Sequence, residues 1–193
     1  MQFIGTYKID DKICDNLIAL HKKGKERGLV VRGALGGADN GKPVVDVDRK
    51  DSYDLGIVTI PDKLQLKYGI PEFYNELKRC VDEYVEQHPI LKNIGPYRIL
   101  ETPIIQYYKP GGGFKFEHFE RTGIASTTRM LTWMTYLNDV TDGGGTTFTY
   151  QETTIKAEKG KLLVWPSDFT HTHVGQVSKT QEKYIITGWL NYY

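Results

Sequence analysis

The segment Phe116-Glu117-His118-Phe119-Glu120-Arg121-Thr122-Gly123 sets an imidazole and a carboxylate two positions apart. In an extended strand alternate residues share a face, so His118 and Glu120 would point to the same side. Nitrogen and carboxylate oxygen together suit a borderline or hard transition metal. Two histidines and one carboxylate with positions left open is the arrangement of non-haem iron(II) that activates oxygen. The third donor must come from elsewhere, and the chain holds five histidines: His21, His88, His118, His171 and His173. His21 falls on a first helical pattern and His88 at the end of a second, which leaves the run His171-Thr172-His173 with either ring open as a candidate. A lone His-x-Glu pair is weak, because a surface histidine beside a solvated glutamate gives the same letters. Other metal chemistries fit less well. Cys14 and Cys80 form no CxxC pair, so no thiolate zinc site or redox motif is present, and no HExxH helix surrounds the site. The glycines at 111–113 and 143–145 lack the Gly-Lys-Ser/Thr that would follow in a phosphate loop and read as turns.

The elements that must position these groups divide the chain in two. From Tyr97 onward, short runs rich in Ile, Tyr, Thr, Val and Trp alternate with glycine clusters. Residues 98–108, 129–138, 146–151, 161–166, 171–176 and 183–193 read as strands, with turns at 109–113, 139–145, 158–160 and 166–168. That spacing is the pattern of an antiparallel sandwich or jelly roll. Before it, two amphipathic helices are expected. One opens at Asp10, buries Ile13, Leu17 and Leu20, and ends at Gly24. The other runs from Pro71 to Gln87, with Phe73, Leu77, Val81, Tyr84 and Val85 on one face. Both are expected to pack outside one sheet. Residues 33–43 are a loop by composition and 46–55 are polar. Segment 33–56 reads either as a lid over a pocket or as a mobile surface loop. With 193 residues, the fold class is mainly β with flanking helices, as a single domain over 1–193: a helical support segment (1–97) and a jelly-roll core (98–193). A net charge of +1 gives no field to attract nucleic acid or an anionic membrane. No apolar run approaches a membrane span and no signal sequence opens the chain, so the expected location is cytoplasmic.

Five ordered blocks carry a resemblance: YYKPGGGFKFEHFE (107–120), LTWMTYLND (131–139), GGGTTF (143–148), KGKLLVWPSDFTHTH (159–173) and Lys183 followed by YIITGW. Together they resemble the prolyl 4-hydroxylase-like branch of the 2-oxoglutarate/iron(II) dioxygenases, and especially an HxE subgroup common in phages and bacteria. The resemblance covers roughly the C-terminal half and implies a double-stranded β-helix. It implies Fe(II), 2-oxoglutarate and O2, with ascorbate as a candidate reductant. It also chooses between the histidines: the family's distal histidine precedes its basic co-substrate residue by ten positions, which fits His173 and Lys183, whereas His171 stands twelve away. The implied metal ligands are then His118, Glu120 and His173. Lys183 would take the distal carboxylate of 2-oxoglutarate, helped by the hydroxyls of Tyr136 and Thr187. Tyr108 matches another co-substrate contact, Trp189 a pocket wall, and Trp165 core. Tyrosine and threonine are also ordinary strand residues, and packing explains them about as well. Two departures stand out. Glu120 occupies a position where the better-known members carry aspartate, and the gap from Tyr108 to His118 differs by one residue from theirs. The implied reaction is hydroxylation of an unactivated C–H bond, with prolyl residues of a peptide or protein as the analogy and a small molecule as the other substrate class. A cupin-like metal enzyme without 2-oxoglutarate and a metal-free jelly-roll binding module are the competing classes.

Overall fold

The computed structural model describes residues 3–36 and 43–193; the loop expected at 33–43 lies largely outside them. Among the described residues, eleven strands form two antiparallel sheets. They are β1 (Gly5–Lys8), β2 (Val31–Arg32), β3 (Tyr53–Gly56), β4 (Tyr97–Arg98), β5 (Ile104–Tyr108), β6 (Arg129–Tyr136), β7 (Thr146–Phe148), β8 (Thr153–Ile155), β9 (Lys161–Pro166), β10 (His173–Gly175) and β11 (Lys183–Tyr192). The large sheet runs β1-β9-β6-β11-β5-β3-β2, with β4 also paired to β11; the small one runs β10-β7-β8. The two sheets make a jelly roll.

β11 is the spine of the large sheet. It pairs with β5 on one side and β6 on the other, setting Lys183 opposite Tyr108 and Ile185 opposite both Gln106 and Tyr136. Side chains alternate along it. Tyr184, Ile186 and Leu190 join Trp133, Leu162 and Val164 in a core shared with the helices. Lys183, Ile185, Thr187 and Trp189 take the other face, where Ile185 meets Tyr108, Met134, Tyr136, Phe148 and Trp165 between the sheets.

The helices α1 (Asp11–Glu26), α2 (Asp62–Lys67) and α3 (Ile70–Gln87) cover the outer face. Asp10 caps α1 by accepting the Lys12 N–H at 2.7 Å. The helix runs past Gly24, its expected end. Gly28, at φ +70°, is the residue in left-handed backbone, and the Leu29 N–H closes on the Gly24 carbonyl at 3.0 Å. Gly24 instead serves packing, since a Cβ there would come within 2.8 Å of the Leu55 side chain. α3 starts one residue before Pro71, after Gly69 at φ +75°.

The following expectations need correction. The run 98–108 is interrupted between β4 and β5 by Ile99–Pro103, because Pro103 has no N–H for a ladder. Residues 50–56 are not a mobile loop. Lys50 Nζ bonds Asp54 Oδ2 at 2.7 Å, the Ser52 hydroxyl donates to Asp54 Oδ1 at 2.7 Å, and β3 pairs with β5. Charge made this stretch read as loop, yet the charges neutralise one another under cover. Residues 171–176 are not one strand: a 3-10 turn spans Phe169–His171 and β10 begins at His173. Among the described residues, no helix is long and apolar enough to cross a membrane.

Candidate metal centre

His118, Glu120 and His173 converge, with one donor atom of each lying within 4.8 Å of the others. Glu120 Oε1 stands 3.8 Å from His118 Nε2 and 3.6 Å from His173 Nε2. The segment carrying His118 and Glu120 is not a strand. It is tied to β10 by a single reciprocal bridge: the His118 N–H donates to the His173 carbonyl, and the His173 N–H to the His118 carbonyl, both at 2.9 Å. The Glu120 and Arg121 N–H groups both reach the Ser167 carbonyl, at 3.2 and 3.0 Å.

Each imidazole is oriented by its own backbone. His118 Nδ1 lies 3.0 Å from the Phe116 carbonyl and His173 Nδ1 lies 2.9 Å from the His171 carbonyl. A carbonyl only accepts, so each Nδ1 carries the proton and each Nε2 presents a bare lone pair. Burial lowers the pKa of both rings. His173, further depressed by the neighbouring His118, falls to about 4, so both are neutral near pH 7. Phe114 stacks on His118 with centroids 3.8 Å apart, and Phe148 and Trp165 flank His173 at 5.4 and 5.2 Å. These rings hold the imidazoles and keep water off them.

Such a set fits a divalent ion. Two donors sharing one ion at about 2.1 Å stand about 3–3.5 Å apart, and the 3.8 and 3.6 Å from Glu120 Oε1 to the two Nε2 atoms lie close to that range. Two neutral nitrogens and one carboxylate on one side, with no thiolate, match iron(II) with open positions.

Lys183 is buried on the inner face of β11. Its Nζ bonds the Gly144 carbonyl at 3.1 Å and sits 4.8 Å above the Tyr108 ring. Among the described residues no carboxylate pairs with it, and burial alone lowers its pKa to about 8. A Cβ built on Gly175 would stand 3.8 Å from that Nζ. Gly175 follows His173 by two positions on β10, so the ammonium lies beside the strand position about 7 Å beyond the one that carries the His173 imidazole.

The matching model for the 2OG-Fe(II) oxygenase superfamily spans residues 103–191, and so takes in the trio and Lys183. Those residues belong to the 2OG-Fe(II) oxygenase superfamily. The family implies Fe(II), 2-oxoglutarate and O2 for this oxygenase domain. Among solved structures, a viral collagen prolyl hydroxylase from Paramecium Bursaria Chlorella virus-1 in its 2OG complex is similar, at 20% identity and TM-score 0.68, over 100% of this chain and 97% of that one. A Pseudomonas putida prolyl-4-hydroxylase is 15% identical at TM-score 0.68, over 97% and 92%. A Trichoplax adhaerens prolyl hydroxylase in complex with a hypoxia inducible factor peptide is 17% identical at TM-score 0.67, over 97% and 83%. At these identities the likenesses speak for the shared fold. No curated protein aligns significantly with the sequence.

Other residues named from sequence have more local engagements. The Tyr136 hydroxyl pairs with Thr146 Oγ1 at 2.6 Å, and the Thr187 hydroxyl donates to the Trp133 carbonyl at 2.9 Å. The Tyr108 hydroxyl donates to Gln106 Oε1 at 2.6 Å. Trp189, expected as a pocket wall, donates its Nε1–H to Glu120 Oε2 at 2.9 Å. His171 is outside the trio; with a 3-10 turn before β10, its ring does not share a face with His173, and it contributes its carbonyl. Sequence reading missed Arg129, which contacts Glu120, and Phe114. An arginine heading an apolar strand is a signal for the first, whereas a phenylalanine in a glycine-rich loop carries none for the second.

Proposed function

We propose that this oxygenase hydroxylates a prolyl residue of a peptide or protein, with iron held by His118, Glu120 and His173 and 2-oxoglutarate anchored by Lys183. Bound iron(II) with 2-oxoglutarate and O2 supplies an oxidative decarboxylation to succinate and carbon dioxide that is coupled to hydroxylation of a C–H bond. The chain's own residues prepare that chemistry. The two imidazoles arrive neutral, with the correct nitrogen bare. Glu120 supplies negative charge and lies across from them. Lys183 offers an ammonium with no carboxylate partner among the described residues, in a low-dielectric setting where its attraction for a carboxylate is strong. The face of Tyr108 supports that ammonium, and Phe114, Phe148 and Trp165 exclude water from the ligands.

The observation that carries the reading is the pairing of a two-histidine, one-carboxylate cluster with a buried lysine that has no carboxylate partner among the described residues and whose Nζ lies beside Gly175, two positions after His173. The prolyl substrate is supported by the neighbours of similar fold, one of which holds a peptide. The test is succinate formation with added iron(II) against proline-containing peptides, free amino acids and small-molecule alternatives. A prolyl peptide should raise succinate release and gain one oxygen atom by mass. Glu120→Ala and His173→Ala should each lower 2-oxoglutarate consumption by more than about 100-fold. Wild-type consumption in both variants would end the metal assignment, and stimulation by free amino acids alone would end the peptide assignment.

A further inference from the structure

Arg129 stands nine residues after Glu120, at the head of β6, and joins four separate stretches of chain. Its Nε and Nη2 donate to the two carboxylate oxygens of Glu101 at 2.8 and 2.5 Å, in a two-pronged pair. Its Nη1 donates to the Glu120 carbonyl at 2.9 Å and lies 3.7 Å from Glu120 Oε2. Its guanidinium stacks over the Trp189 ring, 3.6 Å from the centroid. Trp189 in turn donates its Nε1–H to that same Oε2. Asn191, two residues along β11, donates to Glu101 Oε1 at 2.8 Å. Burial would push the Glu101 carboxyl up, but the hydrogen bonds from Arg129 and Asn191 outweigh it and hold it below its ordinary value.

We infer that Arg129 is a positioning residue: anchored by Glu101 and stacked on Trp189, it fixes the Glu120 backbone and, with the Trp189 N–H, engages Oε2, so that the carboxylate offers a metal Oε1 alone. The inference rests on the metal centre proposed above. It accounts for the glutamate. The Glu120 backbone is pinned at its carbonyl by Arg129 and at its N–H by the Ser167 carbonyl. With both peptide groups fixed, an aspartate, one methylene shorter, cannot span from that backbone to the Trp189 N–H and the ion together. The clamp is sized for the longer side chain. A lysine at 129 keeps the charge but has no fork with which to hold Glu101 and the Glu120 carbonyl at once.

Cobalt(II) in place of iron(II) gives a readout other than turnover, since its visible absorption reports the coordination shell. Equilibrium binding of Co(II) and the spectrum with 2-oxoglutarate added are compared for wild type, Arg129→Gln, Arg129→Lys, Glu120→Asp, Trp189→Phe and His173→Ala, each checked for folding by near-ultraviolet circular dichroism. Arg129→Gln, Arg129→Lys and Glu120→Asp should each bind Co(II) about 10–100-fold more weakly, the usual cost of losing a partner that orients a ligand, with altered absorption bands. Trp189→Phe, which keeps the stacked face and loses the N–H, should lose several-fold. A folded Arg129→Gln protein with wild-type affinity and spectrum overturns the inference. Should that variant not fold, Glu120→Asp decides alone, and wild-type affinity there overturns it equally. If wild type takes up no Co(II), or His173→Ala binds as well as wild type, the metal centre itself is wrong and the clamp falls with it.

Discussion

A histidine offers a metal only the nitrogen that its other nitrogen's partner leaves bare. In His118 and His173 that partner is a carbonyl two residues earlier in the chain, so the same local turn geometry selects the same tautomer twice. Lys183 is the complementary case, a cation buried before its anion arrives. Its lowered pKa of about 8 gives two pH predictions. Co-substrate binding needs the ammonium, so kcat/KM for 2-oxoglutarate should be flat below about pH 8 and fall toward tenfold per unit above it, as measured by initial rates at varied co-substrate. Lys183→Met should remove that limb and raise the KM for 2-oxoglutarate by at least about 30-fold, in keeping with the loss of a buried charge-assisted contact. The stability of the ligand-free protein should run the other way. The unfolded chain keeps the Lys183 proton up to its ordinary value near 10.5 while the folded chain releases it near 8. Lys183 therefore contributes a rise in stability with pH across that window.

At the scale of elements, β3 shows how a charged stretch becomes part of a sheet. Lys50 and Asp54 are both buried, and Asp54 sits beside Gln106 in the ladder with β5. Removing one partner leaves the other charge buried alone, a cost of about 3–5 kcal/mol. Asp54→Ala should lower the free energy of unfolding by about that amount in urea titrations. Lys50→Met combined with Asp54→Leu should recover most of it, because replacing both members of a buried pair with apolar groups is often near neutral. A double variant as unstable as the single would show that the pair's hydrogen bonds, and not its isolated charge, hold β3 in place.

Across the whole molecule, the large sheet separates two interiors. The helical side packs Phe73 against Trp133, with ring centroids 5.7 Å apart, and Gly188 gives that indole room, since a Cβ there would come within 2.5 Å of it. The inner side holds the His118, Glu120 and His173 cluster and Lys183. Phe73→Ala should therefore cost about 3–5 kcal/mol in unfolding free energy through the cavity it leaves. The folded protein should keep its Co(II) affinity, read by the same titration as for Arg129. A parallel loss of affinity would mean that the two faces are coupled through β11.

Much of this was legible in the letters. Period-3.6 patterns located α1 and α3, and β-branched and aromatic runs located the strands that carry Tyr108, Tyr136 and Lys183. The kinds of donor and the ten-residue interval from His173 to Lys183 were there to be read, because they are facts of type and spacing along one chain. Other features were not. The strand assumed for His118 and Glu120 is one bridge in an irregular loop, His171 is turned aside by a 3-10 turn, and Lys50 and Asp54 read as solvated charge. The grip of Arg129, Glu101 and Trp189 on one oxygen of Glu120 also had to wait for the fold. Periodicity reports which way a side chain faces from its own element, through local backbone geometry alone. Which atoms meet across a sheet, and which lone pair is left free, depends on long-range pairing and burial, and these exist only once the chain has folded.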